Sequence, residues 1–222
     1  MIASTKATTL TRMVAQLPEE DPAFRRAVAM KTVRRGEMVA DSQALEQYLF
    51  ILMQGSARLV RTTREGRRLV LAVLEPGAIF GEGALLNAPT PDTFVEAQQD
   101  CTVWMIPAAE AKKLTSRHPI LGWALLQTFG ARLAQVESRL EDVAYKKLPE
   151  RLAALLLDLA DHRETTISGT SHQSLADTLG TYRETVSSIL RDFKRQGLVE
   201  LGYRRIKILD AFQLAEIAGF VY

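Results

Sequence analysis

The 222-residue sequence predicts an α+β chain with an N-terminal antiparallel β-roll, a long central dimerisation helix and a C-terminal winged helix-turn-helix. Three observations predict it. Short apolar or alternating runs punctuated by glycine fill residues 24–107, an apolar residue recurs at every third or fourth position from Leu126 to Val143, and a paired-helix pattern occupies residues 171–197 between short strands. The expected boundaries are 1–117 for the roll, 118–147 for the helix and 148–222 for the winged helix-turn-helix.

In the roll, the runs Tyr48 to Met53, Ala57 to Arg61 and Leu69 to Leu74 read as strands separated by Gly55, by Glu65-Gly66 and by Glu75-Pro76-Gly77. Arg64-Glu65-Gly66 is the clearest hairpin tip. The next segment has no glycine after Gly130 and no proline until Pro149. Its apolar residues Leu126, Phe129, Leu133, Val136, Leu140 and Val143 step by three and four in alternation, which leaves a seam that a second copy of the helix would cover. The alternative is a core helix lying on its own roll, for which the stripe is narrow. From Pro149 the order is a helix over Glu150 to His162, a strand at Thr166-Ile167, two helices separated by a glycine, and a hairpin around Gly202.

Ser171 is placed to cap the first helix of the pair, whose apolar positions are Leu175, Ala176 and Leu179, and Gly180 supplies the backbone that ends it. Thr181 with Glu184 matches a capping box for the second, with Val186, Ile189, Leu190 and Phe193 on its buried side. The opposite side begins Arg183, Glu184, Ser187, Ser188. An arginine takes guanine O6 and N7 together and a carboxylate accepts from cytosine N4, so Arg183 and Glu184 suit base edges in a major groove. The alternative is an ordinary solvated ion pair, which the bihelical pattern disfavours. The overall net charge of +2 is uninformative, but residues 183–207 carry seven basic side chains against three acidic ones. Backbone phosphates are the expected partners of Ser171, His172, Gln173, Thr181, Tyr182 and Arg204, with Tyr203-Arg204-Arg205 as a wing.

Composition excludes several classes. The single cysteine, Cys101, rules out an internal disulfide, a CxxC zinc site and an iron-sulfur cluster, and it sits in an apolar strand as a core thiol. The histidines His118, His162 and His172 all fall outside the roll, which removes haem ligation there and a cupin-like metal site, so no enzyme is expected. The first residues lack the apolar run of a secretory signal, and no stretch approaches the roughly 18 apolar residues of a membrane span. The expectation is a cytosolic protein with no membrane partner.

On Leu74-Glu-Pro-Gly-Ala-Ile-Phe-Gly-Glu82, the long helix and Arg183-Glu184-Thr185-Val186, the sequence resembles the cyclic-AMP receptor protein and fumarate-nitrate regulator family of bacterial transcription factors from about Ala23 onward. The resemblance implies a cyclic-nucleotide-binding-type jelly roll and a homodimer on a pseudo-palindromic double-stranded DNA site. It also implies Arg183, Glu184 and Ser188 at the three base-reading positions, where Ser188 replaces the family's usual arginine. RNA polymerase as a partner, and activation as the outcome, follow from the same likeness.

The family's nucleotide cassette begins Gly-Glu and ends in an Arg-Ser or Arg-Thr pair. Gly81 and Glu82 are present, but Ala88 to Ala97 puts Asp92 and Thr93 at the end, with no arginine between Arg68 and Arg117. A carboxylate there repels a phosphate. On the helix the family's base-contacting hydroxyl corresponds to Ser138, beside Glu137. Cyclic AMP is therefore not expected as effector and no cofactor is expected, leaving either effector-free DNA binding or an unidentified small molecule in the roll. A sensor with protein-contact output is a further alternative, disfavoured by the Arg183-Glu184 pair.

Overall fold

The computed structural model describes residues 13–86, 89–160 and 165–219, so Ala88 and His162 lie outside the described residues. The chain divides into two compact units, one reaching Gln135 and the other running from Val136, with residues 67–69 grouped with the second.

The first unit opens with two helices that the sequence reading did not anticipate, α1 (residues 13–20) and α2 (Pro22–Ala27). Asp21 starts α2 by accepting a hydrogen bond from the Ala23 amide at 2.8 Å, and proline occupies the first turn, where its missing N–H costs nothing. Phe24, expected to begin the sheet, is instead the buried residue of this helix. The sheet region follows as β1 (Ala29–Val33), β2 (Met38–Ala40), a short α3 (Ser42–Gln47), β3 (Tyr48–Gln54), β4 (Ala57–Thr62), β5 (Arg68–Leu74), β6 (Ile79–Phe80), α4 (Gly83–Leu86), β7 (Thr93–Ala97) and β8 (Cys101–Pro107). The strands form two four-stranded sheets, ordered β1-β8-β3-β6 and β2-β7-β4-β5. The turn between β4 and β5 closes on a Gly66 N–H to Thr63 carbonyl bond of 2.9 Å, at the hairpin tip read from Arg64-Glu65-Gly66.

β3 explains why a continuous apolar run can be a strand. Successive side chains alternate faces, and here both faces are covered. Phe50 and Leu52 point into the roll, where Phe50 stacks on Phe80 with centroids 5.0 Å apart, while Leu49 and Ile51 join a second cluster with Phe24, Ile106, Leu114 and Leu121. That second cluster is completed by α5 (Ala108–Arg117) and the start of α6 (Pro119–Tyr145), the long helix, which buries Leu121, Ala124 and Leu125.

The second unit holds α7 (Leu148–Leu159), β9 (Thr166–Ser168), α8 (His172–Leu179), α9 (Arg183–Arg195), the hairpin β10 (Val199–Gly202) and β11 (Arg205–Ile208), and α10 (Ala211–Ile217), which the sequence reading did not include. Its sheet is ordered β10-β11-β9 with antiparallel pairs. One apolar core joins Leu152 and Leu156 of α7, Leu175 and Ala176 of α8, and Val186, Ile189, Leu190 and Phe193 of α9. No helix among the described residues is long and apolar enough to cross a membrane.

Candidate nucleic-acid interface

The recognition-type pair is built by local rules. Ser171 caps α8, its Oγ accepting from the Ser174 amide at 3.0 Å, and Gly180 ends the helix in the left-handed region at φ 68°. The Thr181 N–H then bonds back to the Ala176 carbonyl at 3.0 Å, which closes the turn after α8. This corrects the expected capping box: Thr181 is consumed in the turn, the N-cap of α9 is Tyr182, and no side chain caps that position. Arg183 is therefore the first helical residue.

With four core residues fixing one side of α9, helical periodicity sends Arg183, Glu184 and Ser188 outward, away from the buried face. Arg183 and Glu184 are exposed. Ser187, read as part of the outer face, has its Oγ 2.8 Å from His172 Nδ1. Gln173 is also committed, its Nε2 donating to Asp177 Oδ1 at 2.7 Å. Burial first, and the positive charge of Arg183 second, hold the His172 imidazole below its ordinary value.

The β10–β11 hairpin is the expected wing. At its tip Tyr203 is almost wholly exposed, and Arg204 adopts a left-handed φ of 49°, held by a Gly169 N–H bond of 2.9 Å to the Arg204 carbonyl. The wing, the first turn of α8 and Arg183 enclose a cleft of about 280 Å³ lined by Ser171, His172, Gln173, Arg183, Arg204 and Arg205 among others. None of its lining residues is acidic. Such a cleft suits a phosphate, since three arginines line it and a helix starts at its edge. Of the predicted backbone-contact residues, Ser171, His172, Gln173 and Arg204 line the cleft, and Thr181 and Tyr182 lie in the turn before α9.

In the roll, Gly81 has φ 81°, and a Cβ there would sit 2.2 Å from the Tyr48 carbonyl oxygen, so this glycine is demanded by the backbone itself. Two arginines not anticipated from the sequence approach the degenerate cassette. Arg132 of α6 pairs with Glu82 at 2.7 Å and donates to the Ile79 carbonyl at 2.8 Å. Arg61, directly opposite Thr93 in the β4–β7 register, donates from Nε to Thr93 Oγ1 at 3.3 Å, and Thr93 itself is buried. Asp92 occupies a left-handed φ of 54°. Glu137 and Ser138 are exposed on α6, in the second unit. Cys101 is buried, its thiol donating to the Ser56 and Gln99 carbonyls, and burial raises its pKa, which fits a core thiol.

On α6, Leu126, Leu133, Val136, Leu140 and Val143 are each more than half exposed, whereas Phe129 is half-buried against the first unit's outer cluster. Most of the seam is therefore left uncovered by the described residues of its own chain.

Two family models match: the cyclic nucleotide-binding domain over residues 30–118 and the Crp-like helix-turn-helix domain over residues 150–217. The "Cyclic AMP receptor protein" of Thermus thermophilus is 30% identical over 174 residues, which is 78% of this chain and 81% of that protein. The chain belongs to the CRP/FNR family of transcription regulators. Another T. thermophilus member, "Transcriptional regulator LdrP", is 31% identical over 200 residues, 86% of this chain and 97% of its own. A solved CRP/FNR-family regulator from the same organism superposes with a TM-score of 0.72 at 27% identity, covering 86% of this chain and 98% of that one. A crp/fnr-family structure from Eubacterium rectale, TM-score 0.78 at 22% identity over 89% of this chain and 93% of that one, shares the fold. These likenesses support a DNA-binding transcription regulator with the CRP/FNR fold.

The capping geometry generates a paired test. Ser171→Ala should lower the stability of the helix-turn-helix by about 1 kcal/mol in a denaturant melt. Thr181→Ala should change it by less than about 0.5 kcal/mol, since that side chain caps nothing.

Proposed function

We propose that this CRP/FNR-family regulator binds a pseudo-palindromic DNA site as a homodimer, with Arg183, Glu184 and Ser188 of each protomer facing the bases of one major-groove half-site. The observation that carries this is the outward Arg183-Glu184-Ser188 face of α9 set beside a cleft with no acidic lining residue. Arg183 offers two parallel donors to guanine, and Glu184 tolerates nearby phosphates because it can accept from cytosine N4. Ser171, His172 and Arg204 contact phosphates, with Gln173, Thr181 and Tyr182 supporting the same strand, and these contacts fix register without carrying sequence information. Ser188 reaches less far than arginine would, so the base pair opposite it is read weakly.

The exposed α6 row supports dimerisation through Leu126, Leu133, Val136, Leu140 and Val143, each of which would leave water on pairing with a second copy. Two-fold symmetry in the protein then demands it in the site, with half-sites about one helical turn apart. The dimer acts in the cytosol, where RNA polymerase is its partner and activation its outcome.

Binding proceeds without cyclic AMP in this reading. Glu82 is already paired with Arg132, and Asp92 stands where the family's phosphate-neutralising arginine would be. One contact favours a second reading. Arg61 at Thr93 supplies a cation from outside residues 69–116, and it suits an anionic effector.

Selection of bound duplexes from a random pool, with the full chain, should return a two-fold symmetric site. On that site Arg183→Ala should cost about 1–3 kcal/mol and relax discrimination at one base pair per half-site, whereas Arg204→Ala should weaken all sequences alike. Equal losses for both variants would make Arg183 a phosphate contact. Leu133→Glu with Leu140→Glu should sediment as a monomer and lose on the order of a hundredfold in operator affinity, and a persistent dimer would refute the seam. Calorimetric titration with cyclic AMP should show no specific heat, and a micromolar affinity would refute independence from it.

A further inference from the structure

His172 is the one titratable residue lining the cleft whose ordinary pKa falls near neutrality. Nδ1 is engaged with Ser187 Oγ at 2.8 Å, which ties the first turn of α8 to the middle of α9. His172 also lines the cleft shared with Arg183, Arg204 and Arg205. We propose that His172 is a proton-coupled phosphate ligand: neutral while the cleft is empty, it takes up a proton as a DNA backbone phosphate enters, and then donates from Nε2 to a phosphate oxygen. This rests on the DNA-binding reading of the cleft.

The charged residues that line the cleft with His172 are Arg183 from α9 and Arg204 and Arg205 from the wing, with Tyr203 beside them, and of these Arg183 acts on the ring. The carboxylate of its own helix, Asp177, accepts from Gln173 and is buried. Partial burial and Arg183 together disfavour the imidazolium in the free protein. A phosphodiester within hydrogen-bond reach of the ring opposes the repulsion from Arg183 and stabilises the imidazolium.

Ser187 makes the switch stereochemically inexpensive. A hydroxyl donates or accepts by rotating its proton, so it partners Nδ1 whether or not that nitrogen carries hydrogen. In the imidazolium Nδ1–H donates to Ser187 Oγ, the ring keeps its orientation, and Nε2–H is directed to the ligand. No rearrangement of α8 against α9 is required.

The sign follows from linkage. If the pKa of His172 is higher in the complex than in the free protein, binding takes up protons; affinity is full below the free pKa and declines as pH rises through the bound one. The decline is about tenfold for each unit separating the two values.

The test uses the full chain and its selected duplex at fixed ionic strength. The ring resonances of the protein's three histidines are titrated by NMR with and without duplex, and His172→Asn assigns the signal. The His172 midpoint should rise by about one unit in the complex, and operator affinity should fall about tenfold between about pH 6 and about pH 8. In His172→Asn and His172→Gln the affinity should change by less than about twofold over that range. An unmoved midpoint in the wild-type complex would overturn the proposal, as would a pH slope that survives in both variants. A purely structural role is distinguished because it would lower the variants' affinity equally at every pH and leave the slope intact, which also overturns it. Absence of sequence-specific binding at any pH would overturn the DNA reading of the cleft, and this proposal with it.

Discussion

Burial of Val186, Ile189, Leu190 and Phe193 in the core of the second unit is the constraint from which the interface follows. A helix with 3.6 residues per turn cannot have its inner face fixed without fixing its outer face as well. Once these four side chains are packed, Arg183, Glu184 and Ser188 have no freedom to turn inward, and Ser187, at the margin, meets His172. Because the buried residues share one core with α7 and α8, the packing that holds the unit together also orients the proposed reading surface. The proposed specificity and the unit's stability thus depend on the same helix.

The phosphate side of the interface has a different origin. It is assembled from three segments that are separated in sequence: the cap of α8, the first residue of α9 and the tip of the β10–β11 hairpin. Arg204 is held at a backbone angle that an arginine seldom adopts, and the Gly169 bond to its carbonyl helps hold it there. The result is a positive concavity with no acidic lining residue in a chain whose overall charge is nearly balanced. Net charge alone would not have suggested it.

What was legible in the sequence was local. Ser171 as a cap, Gly180 as a left-handed stop, the turn at Gly66 and the three-four spacing on α6 all depend on residues within one or two turns of each other, and each is present in the fold. The Thr181 capping box looked equally local but competed with the turn after Gly180, which took the Thr181 amide and pushed the cap on to Tyr182. Helices α2 and α3 are six residues each, too short for a helical period to show in the sequence. The two roll arginines were illegible for a further reason: Arg61 reaches Thr93 through strand pairing and Arg132 reaches Glu82 across fifty residues, so neither partner could be found by scanning along the chain. The Ser187 to His172 bond belongs to the same class.

The central claim is that the outer face of α9 reads base edges and is not merely a charged surface that holds DNA. Dimethyl sulfate methylates guanine at N7, in the major groove, and so reports on the atom that Arg183 is assigned to cover. On the selected site the full-length protein should protect one guanine N7 in each half-site, symmetrically placed, and Arg183→Ala should lose that protection while still occupying the DNA at higher protein concentration. Full occupancy with every guanine N7 left reactive, or protection unchanged in Arg183→Ala, would contradict the account.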